Sequence, residues 1–347
     1  MSFFKNSKLY FSLLYLFLAA IFLFHYFVSG QAVYGDSIGY YSYLHSWYFD
    51  ADADFSNEYQ HIYNYENNNS PEPLVSPTVQ IVGINSEGAA LNHFSPGMAI
   101  LLVPFYVLAD GVAQIANFLG ASIPQNGYSN IYQIFVGLGA IVYSIATLWL
   151  SEQLLALFSF SKKISRIAVF MLLFSTNLIY YLSFDTINSH FASLFISTFF
   201  FWYFFKNRLV MTKKSYLKLG GLVGILFLTR PQDGLIASLV LIDLFLVLRE
   251  GKIAWRHFIS RVLIFLLPVV LTVSLLISHW ISLFDTISSH PYFNWLAGKN
   301  NIAFDMFGSL FHVTNGLFTR TPILLVCFIL FCYKFYKRKI NYKLGVK

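Results

Sequence analysis

Residues 9–29 read LYFSLLYLFLAAIFLFHYFVS, and residues 30–37 continue as GQAVYGDS. The first stretch carries no Asp, Glu, Lys or Arg and has the length, about 20 apolar residues, that a helix needs to cross a bilayer. It exceeds the ~7–15 residues of a signal-peptide core, and Gly30-Gln31-Ala32 only weakly resembles a cleavage site, so the helix is expected to be retained. The chain then changes character. From Gly30 to Asn92 it carries eight acids, Asp36 the first and Glu87 the last, and no Lys or Arg. Cytoplasmic loops collect basic residues, so this segment reads as the outer side of a membrane. Asp36 stands just past the run, and a carboxylate held where a helix leaves the bilayer has few structural uses and several chemical ones.

The whole composition agrees. Of 347 residues, 57% are hydrophobic and only 11% are charged, with a mean hydropathy of +0.60. Soluble domains carry about 25% charged residues, so an all-α polytopic membrane protein is expected. The net charge of +7 and pI near 9.2 come from short basic clusters between apolar runs. Such clusters are topology signals and lipid-headgroup contacts rather than a nucleic-acid surface. The two cysteines, Cys327 and Cys332, both fall in the last apolar run, which predicts neither a disulfide framework nor a zinc site.

Further apolar runs cover residues 128–158, 164–182, 191–205, 217–229, 235–248, 258–283 and 309–333, for about eight crossings in all. Runs 191–205 and 217–229 are shorter than the ~17–25 residues of a perpendicular span. The stretch 96–109 contains Pro104 and stops at Asp110, and its length suits an interfacial or re-entrant helix. Treating it so leaves both termini and twenty of the twenty-three basic residues inside, with 334–347 a basic cytoplasmic tail. Residues 1–347 then form one membrane domain, and 30–127 its first extracytoplasmic segment with juxtamembrane helices. Only Arg230, Lys299 and Arg320 remain outside, against the orientation rule.

Several groups converge on the outer face: Asp36, the stretch Asn92-His93-Phe94-Ser95-Pro96-Gly97, the stretch Phe184–His190, Arg230 and Arg320. A carboxylate there can act as general base, and cations can stabilise a leaving phosphate. Bland readings stand beside these. Asp36 is equally a solvated loop acid, His190 a hydrogen-bonded structural residue, and Arg230 a snorkelling anchor paired with Asp233 or headgroups. Asp50-Ala51-Asp52-Ala53-Asp54 imitates a nucleotide-sugar and metal motif, but on the outer side a solvated acidic loop is the better account. FDTINSH at 184–190 and FDTISSH at 284–290 match at six of seven positions. The flanks do not repeat, so the echo is read as coincidence rather than a transporter repeat. Tyr40, Tyr41, Tyr43, Trp47 and Tyr48 suit a helix in the headgroup zone and offer rings that can stack on sugars.

The order of these features resembles the GT-C superfamily of polyprenyl-phosphate-dependent glycosyltransferases, closest to its protein-mannosyltransferase-like and aminoarabinose-transferase-like bacterial members. The resemblance is carried by Gly35-Asp36-Ser37 with Tyr40-Tyr41, by residues 52–59, and by Asn92–Gly97 leading into Val103-Pro104-Phe105. Later come Tyr180-Tyr181, Phe184-Asp185, Ser189-His190, Thr229-Arg230-Pro231-Gln232, Asn315-Gly316-Leu317-Phe318 and Thr321-Pro322. It implies transfer of a sugar from a polyprenyl-phosphate donor to a cell-envelope acceptor, by inversion, in a bacterial inner membrane. Asp36 would be the base toward the acceptor, and Arg230 with Arg320 would hold the donor phosphate. Tyr40, His93, Asp185 and His190 would complete the donor and substrate site. The resemblance implies neither cofactor nor metal ligands, and leaves a divalent-metal requirement open. Family members carry more crossings after the Thr-Pro segment, so the chain reads as either a minimal member or a truncated, inactive one. From another class, a transporter or flippase of lipid-linked saccharides would place ionisable groups along a path inside its helices.

Overall fold

A computed structural model describes residues 7–59, 90–286, 290, 306–314 and 316–343. Residues 60–89, with the last three of the eight acids, positions 287–289 of the sequence echo, Lys299 and Asn315 lie outside the described residues. Among the described residues the chain is helical, without a β-strand. The main helices are α1 (Ser7–Ser29), α2 (Ser37–His45), α3 (Gly97–Phe118), α4 (Asn130–Leu157), α5 (Lys162–Ser175) and α6 (Ser189–Asn207). They continue as α7 (Lys213–Thr229), α8 (Ala237–Arg249), α9 (Trp255–Phe284) and α10 (Pro322–Lys343). Among the described residues, five helical stretches are long and apolar enough to cross a membrane: α1, α3, α4, Pro231–Arg249 and α9.

The packing runs between two ends. At one end Arg166, fully buried, holds Glu152 at 2.9 Å and bonds Ser7, which ties the starts of α1 and α5 to the last turns of α4. Arg208 holds Asp243 at 2.7 Å at the same end, and Arg261 lies over the Tyr216 ring. At the other end Gln133 accepts the Ala32 N–H at 2.8 Å, just past α1. Phe22 fills the groove over Gly137, so α1 and α4 run antiparallel along their length. The α7–α9 contact is the tightest. Gly220 meets the Phe265 carbonyl, and Gly224 meets the Thr272 side chain, a small-xxx-small pairing that lets two backbones approach.

Helices α6 and α7 begin or end short of the top of α4. Phe191 and Phe195, in the first two turns of α6, pack on Tyr143, thirteen residues into α4 and about 20 Å below its start. That explains the short apolar runs at 191–205 and 217–229: these helices stop at the floor of a recess. Helices α2 and α3 fill the space above: α3 starts against Thr229 and rises past Tyr143 to Tyr132. Asn92 donates to the Gly39 carbonyl at 2.8 Å, and Phe94 lies against Gly39, where a Cβ would stand 2.0 Å from its ring.

Three expectations need correction. Helix α3 does not stop near Asp110 but runs on to Phe118, because the Asp110 carboxylate is buried and satisfied. Tyr48 donates to it at 2.9 Å, Gln114 at 2.6 Å, and Tyr132 also bonds it. The helix still covers only the upper half of α4: Tyr143 donates to the Leu101 carbonyl at 2.9 Å, while Tyr132 meets Asp110. The run 164–182 breaks after Ser175 at Thr176, followed by a π-helical turn, Tyr180–Phe184. The run 309–333 is interrupted as well: Met306–Phe311 and Leu317–Arg320 are short, and α10 starts only at Pro322. Helix α10 then carries the first part of the basic tail through Lys343.

Candidate functional site

The C-terminus of α1 and Gly35, at φ 57°, turn the chain into α2, with Asp36 at the helix N-cap. Asp36 is exposed and makes no capping bond with its side chain. Its neighbour Ser37 is buried and donates to Asp185 Oδ1 at 3.4 Å. Asp185 follows the π-helical turn, and Asn188, the N-cap of α6, donates to its other oxygen at 3.1 Å. Burial pushes the Asp185 carboxyl up to about 6; the Asn188 and Ser37 bonds oppose this, and the Asp36 charge adds to it. Two carboxylates from distant parts of the chain therefore sit within electrostatic reach.

His93 joins them. Burial lowers its pKa, and the Asp36 charge pulls the other way. Its Nδ1 is buried with no hydrogen-bond partner among the described residues. The Asn92 side chain accepts from the Phe94 N–H at 3.0 Å and so sets the His93 turn. Gly97 then starts α3 directly against α7, where a Cβ would meet Thr229 Oγ1 at 2.4 Å and the Leu228 backbone at 2.5 Å. This close approach brings the His93 turn to the residue before Arg230.

A second group lies around Arg230. Helix α7 ends at Thr229, Pro231 keeps Arg230 out of helical geometry, and Arg230 Nη1 donates to His190 Nδ1 at 2.8 Å. Tyr181 packs on the His190 ring with centroids 3.9 Å apart. Ser193, one turn along α6, bonds Asp233. These side chains line one side of a cavity of about 590 Å³, whose remaining wall is mostly apolar, with Leu172, Leu178, Leu194 and Leu324. The cavity thus has a cationic and hydrogen-bonding region next to an aliphatic one.

The two groups share the segment Asp185 to His190, which spans at most roughly 17 Å when extended. Asp36, Asp185 and His93 form one cluster; His190 and Arg230 form the other, at the same end of the bundle. Asp36 and His93 are not among the residues lining the cavity. Tyr40 is buried against Phe94 at 4.7 Å and supports the His93 turn rather than facing either group. Arg320 is exposed and donates to the Thr314 carbonyl at 2.6 Å; its neighbour Thr321 lines the cavity instead. Thr321 was marked in the sequence only as half of a Thr-Pro motif, and Ser193 not at all, because a hydroxyl among apolar residues carries no signal until its neighbours are known. Asp243, the acid deepest in an apolar run, is ion-paired with Arg208 at the opposite end. No family model matches the chain, and no curated protein or solved structure matches it significantly.

Proposed function

We propose that the chain is a multi-pass membrane glycosyltransferase of GT-C type. In this reading it moves a sugar from a polyprenyl-phosphate donor to a cell-envelope acceptor on the extracytoplasmic face. The observation that carries it is the Arg230–His190 pair at the edge of a half-aliphatic cavity. A guanidinium and hydroxyl donors suit phosphate oxygens, and the leucine wall suits the first isoprene units. Eight passes, with α5, α6, α7 and α10 completing the set of longer helices other than α3, put the basic helix ends inside with both termini.

The chemistry balances in one step. Asp36 accepts the proton of the acceptor hydroxyl, whose oxygen forms a bond to the anomeric carbon from the face opposite the phosphate. The bond from that carbon to the phosphate oxygen breaks, and the lipid phosphate leaves with the electron pair, stabilised by Arg230. Exposure suits Asp36 to an incoming acceptor. In this reading Asp185, whose carboxyl burial raises, hydrogen-bonds a sugar hydroxyl.

The test is turnover of a labelled polyprenyl-phosphate hexose by the full chain in lipid, for wild type, Asp36→Asn and Asp36→Ala. Loss of turnover with donor binding retained supports the assignment, and undiminished turnover removes Asp36 from the mechanism. A carrier of lipid-linked saccharides has less support, since Asp243, deep in an apolar run, is neutralised by Arg208 at the opposite end of the bundle from the cavity beside Arg230.

A further inference from the structure

Three metal-type side chains meet outside the site above. His45 closes α2, Asp50 closes the π-helical turn Ser46–Asp50, and Glu58 belongs to the helical turn that follows. His45 Nδ1 stands 3.0 Å from Asp50 Oδ2 and 3.0 Å from Glu58 Oε1. One ligand atom from each residue lies within 4.8 Å of the other two.

This is not a solvated acidic loop. His45 and Glu58 are buried, Glu58 completely, while Asp50 is exposed at the mouth. The second Glu58 oxygen, Oε2, is buried with no hydrogen-bond partner among the described residues. One imidazole nitrogen offers a single proton to two carboxyls that stand close enough to share a second, and Glu58 Oε2 is still left buried without a protein donor among the described residues. Such a group is stabilised by a cation. The surroundings hold the ligands in place. Tyr128 and Phe49 stack on the His45 ring at 4.3 and 5.0 Å, and Asn57 donates to Asp50 Oδ2 at 2.9 Å from outside.

We propose that His45, Asp50 and Glu58 bind a borderline transition-metal dication, Zn²⁺ by preference, with a remaining position open to solvent beside Asp50. One imidazole and two carboxylates suit zinc, whereas Mg²⁺ and Ca²⁺ favour all-oxygen sets. The ion lies at the opposite end of α2 from Asp36, about 13 Å along the helix axis, so its role is positioning. It clamps α2 to the chain that follows and thereby holds the helix whose first turn presents Asp36. Its occupancy does not depend on the glycosyltransferase reading.

The experiment uses the full chain in detergent, stripped with a chelator and titrated with ZnCl₂. Metal content is read by mass spectrometry after desalting, and thermal unfolding is followed with and without zinc. The expected result is about one zinc per chain and a zinc-dependent rise in Tm that Mg²⁺ does not reproduce. Asp50→Asn, at the exposed ligand, weakens zinc binding at least tenfold, by roughly the loss typical of a disturbed metal site. Glu58→Gln abolishes binding, and Asp54→Asn, outside the cluster, leaves it unchanged. If Glu58→Gln fails to fold, Asp50→Asn alone decides. A wild-type chain that retains no zinc, or an Asp50→Asn chain that binds as tightly as wild type, overturns the proposal and leaves a hydrogen-bonded triad.

Discussion

Arg230 donates to His190 Nδ1 across the junction of α6 and α7 at 2.8 Å. An arginine has only donors to offer, so this contact requires the imidazole to accept at Nδ1 and to carry its proton on Nε2. The histidine is thereby held neutral and orients the guanidinium at the edge of the cavity.

Replacing Arg230 separates a fork from a point charge. Arg230→Ala is expected to weaken donor binding by roughly 10- to 150-fold, the value of a charge-assisted bond of about 1.5–3 kcal/mol. Arg230→Lys keeps the charge but loses the planar fork and should recover only part of that affinity. Binding of a polyprenyl phosphate to the two variants in lipid nanodiscs checks this. Equal affinity for wild type and Arg230→Ala would remove the phosphate contact.

The Asp185 carboxyl, raised to about 6 from its ordinary 3.8, links stability to pH. Between those values the folded chain keeps a proton that the unfolded chain has released, so stability falls as pH rises through the window. The full effect is at most ~3 kcal/mol. Asp185→Asn should abolish this component, and its Tm should gain on wild type between pH 4 and pH 7. Parallel pH profiles for the two proteins in detergent would show that Asp185 is not the responsible group.

Gly97 and Gly111 lie in the same helix and should respond oppositely to alanine. At Gly97 the new methyl meets Thr229 Oγ1 and the Leu228 backbone, which cannot withdraw as a flexible side chain does. Gly97→Ala is expected to cost about 1–3 kcal/mol and to displace the His93 turn. Nothing stands within 4 Å of a Cβ at Gly111, so Gly111→Ala should stabilise by up to ~1 kcal/mol through helix propensity. Thermal unfolding of both variants is the comparison to make.

Glu152 neutralises a guanidinium with no exposed surface. Glu152→Ala leaves that charge in the bundle and should destabilise by about 3–5 kcal/mol. The double variant Glu152→Ala, Arg166→Met should recover most of the loss, since an apolar pair of similar size needs no counter-ion. Failure of the second change to recover Tm would mean that packing, not charge, was lost.

Much of the architecture was legible because lipid imposes a one-dimensional code. Apolar length and the absence of basic residues mark helices and their ends without reference to partners. The code misled where a polar residue has its own partners inside. Asp110 looked like a helix end, but Tyr48, Tyr132 and Gln114 satisfy it within the fold. The site was legible in part. Asp36, Asp185 and His93 were each found one by one as acids and a histidine near membrane boundaries. Their grouping depended on Ser37 bonding Asp185 and on Gly97 packing against Thr229, contacts between residues far apart in the chain. Arg320 was marked by its motif as a phosphate contact, while the bond from its Nε to the Thr314 carbonyl is set by the fold.

Composition and charge order alone determined that the described chain is helical, with helices apolar enough for a membrane, because the cost of burying charge in lipid is paid residue by residue. They also determined which polar groups stand apart from that pattern. Only the tertiary structure decided which of those groups meet: Asp36 with Asp185 and His93, Arg230 with His190, and His45 with Asp50 and Glu58. The reason is that hydrogen bonds and Coulomb interactions act over a few ångströms in space. Helix packing sets those separations, and no local stretch of sequence encodes them.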